Sequence, residues 1–277
     1  MTDIDAALGY VDEFEENGGS NIAWRLDRYW TLQRIRKLVK DPQLIHQHGL
    51  NACGPAVFFR VWFSRDPLSA ATFACEMLRD GASHVGTLAV AAGWKLKDQD
   101  YALLKSTTNA AHPGATPENA DWMLLSSLRD SENIFFDYAG EPYSVGDAVA
   151  GVTLPSTISG WLNSTGLYST VSDRTGFVAT EEQLMGLNPA SPFDVILLVS
   201  STFNSAVYPS IPSGIDPGFG EPHIPNHYVL VNSPFVESDD SVWLQMNLWS
   251  WGGTTSGWAG VSQFLRKYFG PIIATTY

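Results

Sequence analysis

Hydrophobic and polar positions follow two different patterns along this chain of 277 residues. Up to about residue 190, the patterns favour helices, with apolar residues spaced to share one helical face. After residue 190, short runs of β-branched and aromatic residues follow one another between turn residues, which favours strands. Helices first and strands later predict an α+β fold, with a helical half over 20–190 and a twisted antiparallel sheet over 191–277.

Cap and stop residues set the ends of the predicted helices. Ser20 or Asn21 is the predicted cap of the first helix, and Asp41-Pro42 stops it after Lys40. Gly54 to Phe63 is almost wholly apolar and predicts a buried central helix beginning at Cys53, although a strand is the competing interpretation of so short a run. Further helices are predicted over 68–79, 117–129, 158–163 and 181–187.

The remaining predicted segments are an N-terminal leader, a long loop and four strands. Residues 1–19 predict an acidic, flexible leader, followed by a single domain over 20–277. The segment Pro209–Pro225 predicts a long loop that leads directly to His227, and loops of this length are usually functional or disordered. Strands are predicted over 194–200, 227–232, 242–248 and 271–275.

Charge and composition narrow the classes of partner. The formal net charge of −13 argues against nucleic acid or an anionic membrane as partner. The acidic start lacks the basic and apolar segments of a secretory signal, and no apolar run reaches the ~20 residues of a membrane span. We therefore expect a cytoplasmic protein, or one exported by a secretion system that reads no signal peptide. Basic residues concentrate over 25–40 and are interpreted as the solvated face of the first helix.

Four residues in three distant segments predict the chemistry of a thiol hydrolase. Cys53, at the start of a buried helix, is the candidate nucleophile, because a helix N-terminus favours the thiolate. His227 is the candidate base, and Asn247 is the candidate amide that orients its ring. Gln47, six positions before the cysteine, is the candidate donor to the negative charge that develops on the carbonyl oxygen.

The windows around these residues resemble the papain-like cysteine peptidases. The shared features are a glutamine six residues before the cysteine, the helix start Cys53-Gly54-Pro55-Ala56, the strand that opens with His227, and the stretch Asn247-Leu248-Trp249-Ser250-Trp251-Gly252. Residues 50–56 are also similar to the bacteriocin-processing, C39-like branch of that superfamily. The resemblance implies a papain-like fold, a Cys-His-Asn triad, a thioester acyl-enzyme intermediate and no cofactor.

Several alternatives stay open at this level. Peptide cleavage is the leading activity, but the same machinery can deamidate a protein, transfer an acyl group or cut cell-wall peptides, as in a bacterial effector or toxin with an immunity or inhibitor partner. A catalytically inactive papain-fold module that binds a partner is the alternative from another class.

Individual residues also have other interpretations. His223 is the reserve base, and His46 and His48 compete with Gln47 for the oxyanion position. The sequence around Cys75 contains none of the residues that accompany Cys53, so Cys75 is interpreted as a core thiol. No zinc site is predicted, because the His-x-His pair lacks further ligands at a zinc-binding spacing.

Overall fold

The computed structural model describes residues 3–114, 116–132, 140–141, 153–176, 178–212 and 223–277. Helices and an antiparallel sheet are both present, so the α+β class is confirmed. The chain divides into two compact units. One contains residues 1–153 and 164–166, and the other contains residues 154–163 and 167–277.

The first unit is helical apart from one short hairpin. The hairpin consists of β1 (Ala82–Val85) and β2 (Leu88–Ala91), which pair antiparallel. Its helices are α1 (Asp3–Asn17), α2 (Arg28–Lys40), α3 (Cys53–Arg65), α4 (Pro67–Asp80), α5 (Trp94–Lys97), α6 (Tyr101–Ala111) and α7 (Asn119–Glu132).

Helix α3 is the central element of this unit, as the apolar run predicts. Nearly every residue from Gly54 to Phe63 is buried, so the strand interpretation of this run is wrong. The Trp62 ring lies 5.0 Å from that of Phe73 on α4, measured between centroids. Burying such large side chains stabilises the unit by about 1.5–3 kcal/mol each. The start of α3, and with it Cys53, is therefore fixed by a packed core.

The prediction of a flexible leader is wrong, because residues 3–17 form helix α1. Ala7, Val11 and Phe14 recur at i, i+4 and i+7, are buried, and lie on the face that packs against α4 and α2. Arg36 of α2 binds the carboxylates of Asp12 and Glu15, so part of the acidic character is paired. The many acidic residues of this segment make its narrow apolar face difficult to recognise in the sequence.

Helix α2 also begins later than predicted. Its cap is Asp27, whose carboxylate accepts the Trp30 N–H at 2.9 Å, rather than Ser20 or Asn21. It ends at Lys40, directly before Asp41, as predicted. No helix within the described ranges is long and apolar enough to span a bilayer.

The second unit is built on an antiparallel sheet. The sheet reaches back to residue 168, so the helical half ends earlier than the predicted boundary at 190. Its elements are α8 (Pro155–Ser164), β3 (Tyr168–Asp173), α9 (Glu181–Met185), β4 (Phe193–Val199), β5 (His227–Val231), β6 (Val236–Glu237), β7 (Trp243–Ser250), β8 (Gly253–Gly260), α10 (Val261–Leu265) and β9 (Tyr268–Thr276). The strands of the sheet run in the order β3-β9-β4-β5-β7-β6, with β8 also paired to β7.

Four of these strands, β4, β5, β7 and β9, coincide with predicted ones. All four contribute buried residues from apolar runs, which is why their sequences are recognisable. β3 and β8 were missed because their residues are mostly polar or glycine and largely solvent-accessible. Of the predicted loop Pro209–Pro225, residues 213–222 lie outside the described part of the chain.

Candidate active site

The predicted nucleophile is the first residue of α3 in the helical unit. Cys53 is half-buried, and neither it nor Cys75 forms a disulfide. Ala52 is the N-cap residue and provides no side-chain acceptor for the first turn. The partial positive charge at the start of a 13-residue helix therefore lies next to the sulfur. This environment favours the anionic form of a thiol.

A close contact explains the glycine that follows the cysteine. A Cβ atom on Gly54 would lie 2.7 Å from the side chain of Thr153, closer than atoms in proteins pack. Thr153 is itself held, because its hydroxyl accepts a hydrogen bond from Arg129 at 2.9 Å. Only glycine therefore fits at this point of the helix start.

Gln47 is buried, and its side chain is held in one orientation. Its Oε1 accepts the backbone N–H of Ala52 at 3.0 Å, and because that partner is a donor, the oxygen must be the atom that faces it. The Nε2 amide group makes no hydrogen bond with the described residues. Two N–H donors are thus available on a side chain that is tied to the residue before Cys53.

The turn that carries Gln47 is fixed by two histidines. The His48 N–H donates to Nδ1 of His46 at 2.8 Å, and the two rings stack at 3.8 Å. His48 has a φ of 46°, in the left-handed region that non-glycine residues rarely adopt. Burial lowers the pKa of His46 to about 4, helped by His48 and Arg34. At neutral pH His46 is uncharged, and its Nδ1 already serves as an acceptor within the turn.

A buried ion pair anchors the same turn. Asp121 of α7 accepts two hydrogen bonds from Arg34 of α2, at 2.6 and 3.0 Å, and one from the His46 N–H at 2.8 Å. The Asp121 side chain is wholly buried. Burial raises the pKa of this carboxyl group, and the hydrogen bonds from Arg34 and His46 oppose that effect. Residues from α2, α7 and the Gln47 turn are therefore held together by one carboxylate.

The predicted base is the first residue of β5 in the sheet unit. His227 is only 3 % exposed, its ring stacks on Trp251 at 4.1 Å, and its Nε2 lies 2.6 Å from Oγ of Ser250. The other ring nitrogen, Nδ1, makes no hydrogen bond with the described residues. With the proton on Nε2, the ring donates to Ser250 and keeps the Nδ1 lone pair for another proton.

Trp251 occupies a position that usually demands glycine or asparagine. It has a φ of 50° and Gly252 a φ of 77°, in the two-residue turn that joins β7 to β8. Turns of this kind place both central residues in the left-handed region, which is costly for a bulky side chain. The stack on His227 offsets that cost, so the strained turn shapes the surroundings of the imidazole.

Asn247 does not orient the His227 ring as predicted, because the polar partner of the ring is Ser250 and the side chain stacked on its face is Trp251. The Asn247 carboxamide accepts from Nδ2 of Asn232 at 2.9 Å, and the Asn232 N–H donates to the Asn247 carbonyl at 2.9 Å. Asn232 lies five residues beyond His227, which is roughly 16 Å along an extended strand. Asn247 is thus too far along the sheet to orient the ring.

The remaining candidates have other surroundings. His223, the reserve base, has its Nδ1 3.4 Å from the Thr202 hydroxyl at an exposed position. Cys75 is fully buried in α4, and burial raises the pKa of its thiol to about 12, which suits a core thiol. No cluster of three or more His, Cys, Asp or Glu side chains that could hold a metal ion occurs within the described ranges.

The candidate site residues fall into two groups. Gln47 and Cys53 belong to the helical unit, and His227 and Ser250 belong to the sheet unit. Ser250 was missed because sequence does not reveal strand register, although it lies inside the window that resembles the papain pattern. Arg34 and Asp121 were missed because they are 87 positions apart in sequence and no local signal connects them.

The chain was compared with protein-family models, with curated proteins and with solved structures, and none of the three comparisons gives a match.

The burial of His227 predicts a pH-dependent contribution to stability. Burial lowers the pKa of its ring from 6.5 to about 3, so at pH values between these two the unfolded chain binds a proton that the folded chain does not. Stability is therefore lost as pH falls through this window. From pH 7 to pH 5, we expect His227 to remove about 2 kcal/mol from the free energy of unfolding.

Urea unfolding of the wild type and a His227→Phe variant at both pH values measures this contribution. The variant should lose less stability on acidification than the wild type, since other groups titrate alike in both. Equal losses would show that the ring is not held neutral by burial.

Proposed function

We propose that the protein is a papain-like thiol hydrolase that cleaves an amide bond in a peptide or protein, with Cys53 as nucleophile and His227 as base. Gln47 supplies the oxyanion donor, and Ser250 takes the positioning role first assigned to Asn247. The proposal is supported by the helix start at Cys53, by the available Nδ1 of His227 and by the resemblance of their sequence windows to the papain pattern.

The proposed reaction proceeds through a thioester. His227 takes the thiol proton as the Cys53 sulfur attacks the carbonyl carbon, and the carbonyl electron pair moves to the oxygen. The tetrahedral intermediate collapses, and the leaving amine takes the proton from the ring. Water then attacks the thioester, His227 accepts its proton, and the sulfur leaves and regains that proton as thiol. Negative charge on the sulfur favours protonation of the buried ring during the transfer.

The Gln47 side chain is the single observation that carries the proposal. The Gln47 oxygen is engaged by the Ala52 N–H, and its two N–H groups make no hydrogen bond with the described residues, so both are available to a substrate. The same arrangement suits a site in which negative charge develops on a substrate oxygen beside Cys53. Preorganised donors of this kind act without reorganisation during the reaction.

Replacing Gln47 with glutamate tests this role. The Gln47→Glu side chain keeps an oxygen for the Ala52 N–H but loses both N–H donors, so we expect turnover to fall by about 10²–10³-fold. Gln33→Glu, the same chemical change on α2, serves as the control and should leave turnover within about twofold of the wild type. An unchanged rate in Gln47→Glu would remove this residue from the mechanism.

The nature of the product separates peptide cleavage from the related activities. Incubation with a peptide library, followed by mass spectrometry, should reveal new N-termini if the protein is a peptidase. Ammonia release without chain cleavage would indicate deamidation of glutamine side chains, and transfer to an added amine would indicate acyl transfer. If none of these products forms and a peptide-based thiol-reactive probe fails to label Cys53, the protein is instead a binding module.

A further inference from the structure

A pocket of about 380 Å³ in the helical unit lies among α2, α6 and α7 and plays no part in the proposed reaction. This volume falls in the range of small-molecule sites. The side chains that define its character are Trp30, Arg34, Lys37, Lys105, Glu118 and Asn119. In a protein with a formal net charge of −13, three cations around one pocket are a marked local departure.

The cations retain donors for a ligand. Arg34 uses Nε and Nη2 on Asp121 and the Leu44 carbonyl, while its Nη1 makes no hydrogen bond with the described residues. Lys37 has no acceptor among the described residues either. Lys105 lies 3.6 Å from Glu118, which is the one carboxylate on the wall. Lys37 is thus the cation of the wall whose charge has no acidic partner among the described residues, and Arg34, although its charge is balanced by Asp121, keeps Nη1 to donate to an oxyanion.

Asn119 adds a polar side chain to the wall of the pocket. It is only 8 % exposed, it lines the pocket, and its carboxamide makes no hydrogen bond with the described residues. Neither atom of this amide is cut off from solvent, so both are free to bind a ligand at the pocket wall. Asn119 is also the first residue of α7, a helix of 14 residues, so the positive end of that helix borders the pocket.

Trp30 supplies the apolar part of the wall. Its side chain is 62 % exposed, although tryptophan is usually buried on average, and its ring meets that of Tyr29 edge-on at 5.1 Å. An exposed aromatic face beside a group of cations suits a ligand that combines a flat ring with a negative charge.

We propose that this pocket binds a small molecule that carries an aromatic ring and a carboxylate or phosphate group. The oxyanion binds Arg34, Lys37 and Asn119, and the ring packs on Trp30. This inference goes beyond the proposed function and does not depend on the assignment of Cys53 or His227.

Calorimetric titration of the full chain at fixed ionic strength tests the proposal with three probes: phenyl phosphate, phenylacetate and inorganic phosphate. We expect saturable binding of at least one ring-bearing probe, about tenfold tighter than inorganic phosphate because of the contact with Trp30. Preference for phenyl phosphate or for phenylacetate identifies which oxyanion the site takes, and either preference supports the proposal. Absence of saturable binding for all three probes overturns it.

Matched variants locate the binding. Lys37→Glu should weaken binding of the preferred probe at least about tenfold. Lys40→Glu makes the same charge change on the same helix, outside the pocket wall, and should alter the affinity by less than about twofold. Trp30→Ala should weaken the ring-bearing probe while leaving inorganic phosphate unaffected. Equal losses in Lys37→Glu and Lys40→Glu would mean that diffuse charge, rather than the pocket, attracts the anion, and would overturn the proposal.

Discussion

Replacing Cys53 with alanine is expected to lower turnover by about 10³-fold or more, because the remaining groups cannot form the thioester. The fold should be retained, since the side chain is half-buried at a helix start where alanine is well tolerated. The measurement is the initial rate of product formation on the substrate found in the peptide screen, together with the circular dichroism of the variant.

Cys75→Ala is the matched control for that variant, because it removes the second of the two cysteines. Its thiol is fully buried, and burial raises its pKa to about 12, so at neutral pH it stays protonated. We expect turnover of Cys75→Ala to remain within about twofold of the wild type. A Cys53→Ala variant as active as Cys75→Ala would refute Cys53 as the nucleophile.

Replacing Asp121 with alanine is expected to have the largest effect on stability and to lower the free energy of unfolding by about 3–5 kcal/mol. The substitution leaves the largely buried Arg34 without its ion-pair partner. The carboxylate binds Arg34 through two hydrogen bonds and the His46 N–H through a third, and its side chain is wholly buried. Its loss also releases the turn that carries Gln47. Urea unfolding of the wild type and Asp121→Ala, analysed with a common slope, gives the difference.

The surface pair formed by Arg79 and Asp80 provides the comparison. Their contact is 2.7 Å, but both side chains are more than two-fifths exposed, so the pair is screened by water. Asp80→Ala is expected to change the free energy of unfolding by no more than about 1 kcal/mol. Equal losses in Asp80→Ala and Asp121→Ala would contradict the anchoring role of Asp121.

The parts of the fold that the sequence predicts are those in which burial dictates the residue type. The apolar run after Cys53 and the buried strand that opens with His227 are recognisable because both are enclosed. Helix α1 is not, because three buried residues leave a weak apolar signal beneath many carboxylates.

The site is less predictable than the fold because it depends on pairings across the chain. A sequence window contains both Asn247 and Ser250, and only the register of β7 against β5 decides which one meets the ring of His227. In the same way, no local pattern connects His46 with Asp121, which is 75 positions away. The residue types for thiol chemistry are visible in the sequence, and their partners are not.

We propose that the imidazole of His227 takes the proton of the Cys53 thiol. The most direct test is the rate at which a peptide-based chloromethyl ketone alkylates Cys53 at pH 7 in the wild type and in His227→Gln, read by intact-protein mass spectrometry with folding checked by circular dichroism. We predict a rate at least about tenfold lower in the folded variant, because the base that takes the thiol proton is missing. Equal rates in two folded proteins would contradict the claim.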